Sequence, residues 1–162
     1  MKQELLIREL ITRSSVSDWR EAKKEWLLGS VQQLERGEDS EACLCGHNPI
    51  RELCYLSNRV TGKVALVGNC CVRQFLGLPS TAIFKSLNKV AADDSRSLNP
   101  RTLELLRDRR VIDDLDFERS IATWRKRKHS DSLLALRRRV NAQALTYFRR
   151  KGRSLEMPDT AP

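Results

Sequence analysis

Residues 43–75 read CLCGHNPIRELCYLSNRVTGKVALVGNCCVRQF and contain all five cysteines of the 162-residue chain together with one of its two histidines. Five thiols scattered at random would rarely all fall between Cys43 and Cys71, so something local needs sulfur there. The N-terminus, MKQELLIREL, sets Lys2, Glu4, Arg8 and Glu9 where a secretory leader would need an apolar core. A reducing, cytoplasmic compartment is therefore expected, and there clustered cysteines more often bind metal than form disulfides. Cys43-x-Cys45 followed by Gly46 has the form of a tight knuckle, in which glycine relieves crowding while two thiolates converge on one ion.

Downstream, Cys54 opens an apolar run to Val60, Thr61-Gly62-Lys63 supplies a turn, and Val64–Gly68 is a second apolar run, the pattern of a β-hairpin. The hairpin delivers the chain to Asn69-Cys70-Cys71, where Asn69 is expected to cap a short helix that Gly77 and Pro79 end. Knuckle, hairpin and a helix whose first turn supplies a ligand make a treble-clef-like module. Thiolate charge near a helix N-terminus is also favoured.

The motifs C-x-C-G, I-x-x-x-C, N-x-x-T-G and V-G-N-x-C-V-x-x-F at residues 43–75 resemble a zinc-binding domain of uncharacterised bacterial and phage-type proteins. The resemblance spans about a quarter of the chain and implies Zn2+ with Cys43, Cys45, Cys54 and Cys71 as ligands, leaving Cys70 free. Sets that use Cys70 or His47 instead stay open, as does packing of Cys54 and Cys70 as small hydrophobes. Four thiolates would close the tetrahedron and make the metal structural, since catalytic zinc keeps a position for water. Known catalytic patterns are missing: there is no C-x-x-C for a nucleobase deaminase, no H-E-x-x-H, no phosphate-binding glycine loop and no G-x-S-x-G. The chain is not expected to be an enzyme.

Charge supplies the second signal. The chain carries 30 Lys and Arg against 21 Asp and Glu, a net of +9. Residues 121–153 alone hold eleven of the basic groups and one acid, Asp131. Ser130 is the expected cap of a helix reaching about Lys151, with Leu133, Leu136, Val140, Ala144 and Tyr147 as its buried stripe and the arginines off it. Arg125, Lys126, Arg127, Lys128, Arg137, Arg138, Arg149, Arg150 and Lys151 are thus the expected phosphate-contacting residues, with Asn141 and Gln143 as further polar contacts. A solvated face, an acidic protein partner or an anionic membrane surface are the other readings of the same charge.

The remaining segments read as helices: 2–12 with Leu5, Leu6, Ile7, Leu10 and Ile11; one from Ser17-Asp18 through Trp19, Ala22 and Trp26; one after Ser80 with Ile83, Phe84, Leu87 and Val90; one opened by Asn99-Pro100; and one from Asp113 or Asp114 through Phe117, Ile121 and Trp124. Leu27–Leu34 is expected to be a strand because Gly29 would interrupt a helix. No apolar run approaches membrane-spanning length. These features predict an α+β protein, with 1–42 as N-terminal helices and a strand, 43–77 as the zinc module, 78–151 as a basic helical half and 152–162 as a tail. A packing boundary is expected near the polar stretch 91–100. The function they predict is non-enzymatic nucleic-acid binding, of phage or mobile-element type, DNA or RNA. The alternative is a protein-interaction adaptor or inhibitor built on the same zinc module.

Overall fold

A computed structural model describes residues 2–149, so Arg150 and Lys151 lie outside the described residues. The chain is mixed α+β and divides into two compact units, one running to Ser80 and rejoined by Arg149, the other spanning Thr81–Phe148. The polar stretch 91–100 therefore lies inside the second unit. No helix among the described residues is long and apolar enough to cross a membrane.

In the first unit α1 (Lys2–Thr12) buries Leu6 and Leu10, and α2 (Trp19–Ala22) starts at Asp18, whose carboxylate accepts from the Glu21 N–H. The helix expected to run on to Trp26 stops at a 3-10 turn over Lys23–Glu25 because Trp26 pairs with Asn58 and belongs to β1 (Trp26–Gln33). Strands β1, β2 (Glu52–Asn58) and β3 (Val64–Gly68) form an antiparallel sheet with β2 in the middle. The register of β1 on β2 shifts between Leu28 and Ser30, a β-bulge that leaves Gly29 unmatched. The β2–β3 turn is made by Asn58, whose side-chain oxygen accepts from the N–H groups of Val60 and Thr61, at 2.9 Å each. Gly62 then takes the left-handed conformation, φ +70°, that the turn requires. A short helix α3 (Asn69–Cys71) continues into a π-helical turn over Val72–Leu76, ended by Gly77 at φ +66°. Gly68, not Asn69, stands at the N-cap. The Asn69 side chain is instead drawn into the core, donating to Glu52 at 2.8 Å and accepting from Ser80 Oγ at 2.6 Å. Ser80 is the first residue of the next helix and a buried hydroxyl of the first unit.

One buried carboxylate ties this unit together. Glu25, 6% exposed, accepts from the Ser15 N–H at 2.9 Å, from the Ser15 hydroxyl, and from Asn58 Nδ2 at 2.7 Å. Trp26 Nε1 donates to Ser14 Oγ at 2.9 Å beside it, and Thr61 Oγ1 reaches the Arg13 carbonyl at 2.8 Å. The loop after α1, the start of β1 and the hairpin turn are thus joined through hydrogen bonds that satisfy the Glu25 carboxylate and its partners.

In the second unit α4 (Ser80–Ala92) buries Ile83, Phe84, Leu87 and Val90. Asn99 caps α5 (Pro100–Asp108) by accepting from the Thr102 N–H at 3.0 Å, and its Nδ2 donates to the Ala82 carbonyl at 2.7 Å. Asp113 caps α6 (Asp114–Thr123) through the Asp116 N–H at 2.7 Å, and Ser130 caps α7 (Asp131–Phe148) through the Leu133 N–H at 3.3 Å. The buried face of α7 holds Leu136, Val140, Ala144, Tyr147 and Phe148 but also Arg137 and Asn141, which had been expected to face solvent. Leu133 is only half-buried. Asn141 Nδ2 donates to the carbonyls of Asp94 and Arg96, at 2.9 and 2.8 Å, so it holds the 93–98 loop and is not available to a ligand.

Two predictions follow from these bonds. Hydrogen bonds from the Ser15 hydroxyl and N–H and from Asn58 hold the Glu25 carboxyl below its ordinary value of 4.5. A depressed carboxylate contributes stability that is present above the unfolded pKa and lost as pH falls through the folded one. Thermal melts recorded downward from about pH 4.5 should show a loss of stability that Glu25→Gln reduces, and an unaltered acid profile in that variant would refute the role of Glu25. In the second unit Asp116, its side chain 12% exposed, takes Arg139 in a two-point contact at 2.8 and 3.2 Å. Because half of the Arg139 side chain stays in water, Asp116→Ala should cost about 1–2 kcal/mol in urea unfolding.

Candidate metal centre and cationic surface

Three of the five sulfurs converge. The Sγ atoms of Cys43, Cys45 and Cys71 all lie within 4.8 Å of one another, and Cys43 and Cys71 are 3.8 Å apart. Bonds of about 2.3 Å to a tetrahedral zinc set ligand sulfurs about 3.8 Å apart, so the donor set fits a metal of that size. The knuckle is held by its own backbone: Cys43 N–H donates to the His47 carbonyl and Gly46 N–H to the Cys43 carbonyl, each at 2.8 Å, with Gly46 at φ +87°. The N–H groups of Cys45 and Gly68 point at the Cys43 sulfur, the latter at 3.2 Å, and that of His47 points at the Cys45 sulfur. Such donors favour thiolates. Cys71 is delivered from the far end of the hairpin by α3.

Burial pushes the thiols of Cys43 and Cys71 up, neighbouring sulfurs adding to it. Burial opposes ionisation of Cys45 as well, but the His47 N–H, the Cys43 and Cys71 thiols and the Lys2 charge outweigh it and hold that group below its ordinary value. A divalent cation would replace the protons at all three positions.

Cys54 lies outside this group of three. Fully buried on β2, it pairs with Val67 and with Val31, on the face that also carries Leu56 and Ala65. The Cys43 sulfur sits instead where a side chain on Gly68 would project, on the Leu53 side of the strand pair. Burial pushes the Cys54 thiol up to about 12, and Ser80 is its hydrogen-bond partner. Glu52 and Cys43 add to that rise, so the thiol has polar neighbours as well as the apolar ones of the sheet. Of the adjacent pair, Cys71 joins the cluster while Cys70 is exposed. The three sulfurs open onto a cleft of about 600 Å³ that Cys70, His47 and Lys2 also line, with Lys2 Nζ donating to His47 Nδ1 at 3.2 Å.

The expected cationic residues are sorted by the fold into different roles. Arg125, Lys126, Arg127 and Lys128 form an exposed run between α6 and α7, without an ion pair among the described residues. Arg137 is buried and donates to the carbonyls of Ser95, Thr123 and Lys126 at 3.1, 3.0 and 2.8 Å. Arg138 pairs with Asp94 at 3.3 Å, and Arg149 with Glu35 at 3.0 Å. Two cations that sequence reading passed over join the run: Lys89 on α4 and Arg96 in the 93–98 loop line one cleft with Trp124, Arg125, Lys126, Arg127 and Arg137. Neither carried a sequence signal, since a single lysine on an amphipathic helix and a single arginine in a loop are ordinary surface residues.

The centre makes a spectroscopic prediction. Titrating Co2+ into the reduced protein should give thiolate-to-cobalt absorption with one ion per chain. Cys43→Ser, Cys45→Ser and Cys71→Ser should abolish it, and Cys70→Ser and Cys54→Ser should retain it. Equal retention in the Cys70 and Cys71 variants would break the assignment.

Compared with protein-family models, curated proteins and solved structures, the chain finds no match.

Proposed function

We propose that this chain is a nucleic-acid-binding protein whose first unit is held by a zinc ion on Cys43, Cys45 and Cys71. Support for the metal comes from the sulfur spacing and from the chemistry of the donors, since clustered thiolates select zinc among the common divalent ions. Such an ion would cross-link the knuckle to the helix that follows the hairpin, 28 residues along the chain.

The observation that carries the nucleic-acid reading is the exposed run Arg125–Lys128, beside a cleft whose lining holds no carboxylate among the described residues. On the helix that follows and just past its end, by contrast, Arg138, Arg139 and Arg149 are balanced by Asp94, Asp116 and Glu35. Four consecutive cations without such partners release counterions when they meet phosphates.

Binding of the full-length protein to labelled oligonucleotides should therefore weaken steeply with salt. Replacing Arg125, Lys126, Arg127 and Lys128 together by Gln should lower the slope of log K against log salt by about 3, at about 0.7–0.9 per phosphate contact. Arg138→Gln, whose guanidinium is already occupied, should leave the slope where it was. A quadruple variant that is folded by circular dichroism and keeps the parent slope would end this reading of the surface.

A further inference from the structure

The cleft in the second unit has about 680 Å³ of space and an unusual imbalance. Arg137, 7% exposed, carries its charge below the surface with three of its five N–H donors on backbone carbonyls and with no ion pair among the described residues. Carbonyls satisfy hydrogens but do not neutralise a cation, and a buried charge without a counterion is costly. Lys89 and Arg96 line the same cleft, so positive groups from α4, the 93–98 loop and α7 face one another. The Lys89 ammonium is pushed down by burial and then by Arg96 and Arg137. Asp93 acts on Arg96 and His129, but its carboxylate is engaged by the N–H and hydroxyl of Ser95 and does not line the cleft.

Trp124 stands in the same lining. It is half-buried, with the Arg125 guanidinium 4.9 Å above its ring. An indole with a planar cation beside it is the kind of surface on which an unpaired base stacks.

We infer that this cleft seats one nucleotide of a single strand, its phosphate among Lys89, Arg96 and Arg137 and its base against Trp124. The inference rests on the nucleic-acid reading above and deepens it from a charged surface to a site that prefers unpaired strands. A duplex could meet the exposed loop 125–128 but could not offer a base to Trp124 without unstacking it.

The test compares the full-length protein on a short oligothymidylate and on a mixed-sequence duplex, by fluorescence anisotropy at several salt concentrations. Arg137 is left intact, because its bonds to Ser95, Thr123 and Lys126 hold the fold. Trp124→Ala should weaken single-strand binding about tenfold and duplex binding little, with Trp124→Phe restoring most of the loss. The exposed pair Lys89→Gln with Arg96→Gln should lower the single-strand salt slope by about 1.4. Salt-sensitive binding that neither Trp124→Ala nor the Lys89, Arg96 double variant weakens overturns the cleft while leaving the basic loop as the nucleic-acid site. Absence of oligonucleotide binding by the parent, with or without binding to phosphatidylglycerol vesicles, overturns the cleft and the nucleic-acid reading together.

Discussion

A strand buried on both faces must have both its edges satisfied, and β2 is such a strand: Leu53, Cys54, Leu56, Ser57 and Asn58 are all buried. Its pairing with β1 and β3 fixes everything around the sulfur cluster. Register places Gly68 opposite Leu53, and the chain turning into α3 at that point brings Cys71 back to the knuckle. The knuckle reaches β3 from the other side, Leu44 N–H donating to the Leu66 carbonyl at 3.1 Å. The cluster is therefore positioned by backbone bonds.

The second unit is organised by polar groups of α7 that turn inward. Arg137 gathers the end of α6 and the following turn, Asn141 gathers the 93–98 loop, and Arg139 clamps Asp116. A helix that reads as a basic face is thus partly a structural clasp. The exposed cations that line the cleft lie off this helix, in its N-terminal loop and at Lys89 and Arg96.

Features decided by neighbouring residues were legible in the sequence. The Asn99, Asp113 and Ser130 caps, the hairpin turn and the knuckle all stand where their local chemistry puts them. Features decided by distant residues were not. Cys54 has the spacing of a ligand, but strand alternation sends it to the other face of β2, and only the register reveals that. Trp26 fits a helical stripe until Asn58 claims it for the sheet. The β1 strand itself was legible, because Gly29 argues against a helix over Leu27–Leu34; only its start at Trp26 was not. Arg137 and Arg138 are adjacent and chemically alike; which one is buried depends on where carbonyls 11 to 42 residues away end up.

The same knuckle has a consequence for association between molecules. In a three-stranded sheet the outer strands present unpaired backbone groups, and such an edge is a template for another chain. Here the outer side of β3 is stoppered at two points by the knuckle, Leu44 N–H on the Leu66 carbonyl and the Cys43 sulfur on Gly68 N–H. Whatever loosens residues 43–46 would uncover a strand edge carrying Ala65, Leu66 and Val67 before it unfolded the hairpin. The turn that gathers the sulfurs is also the cover of the β3 edge.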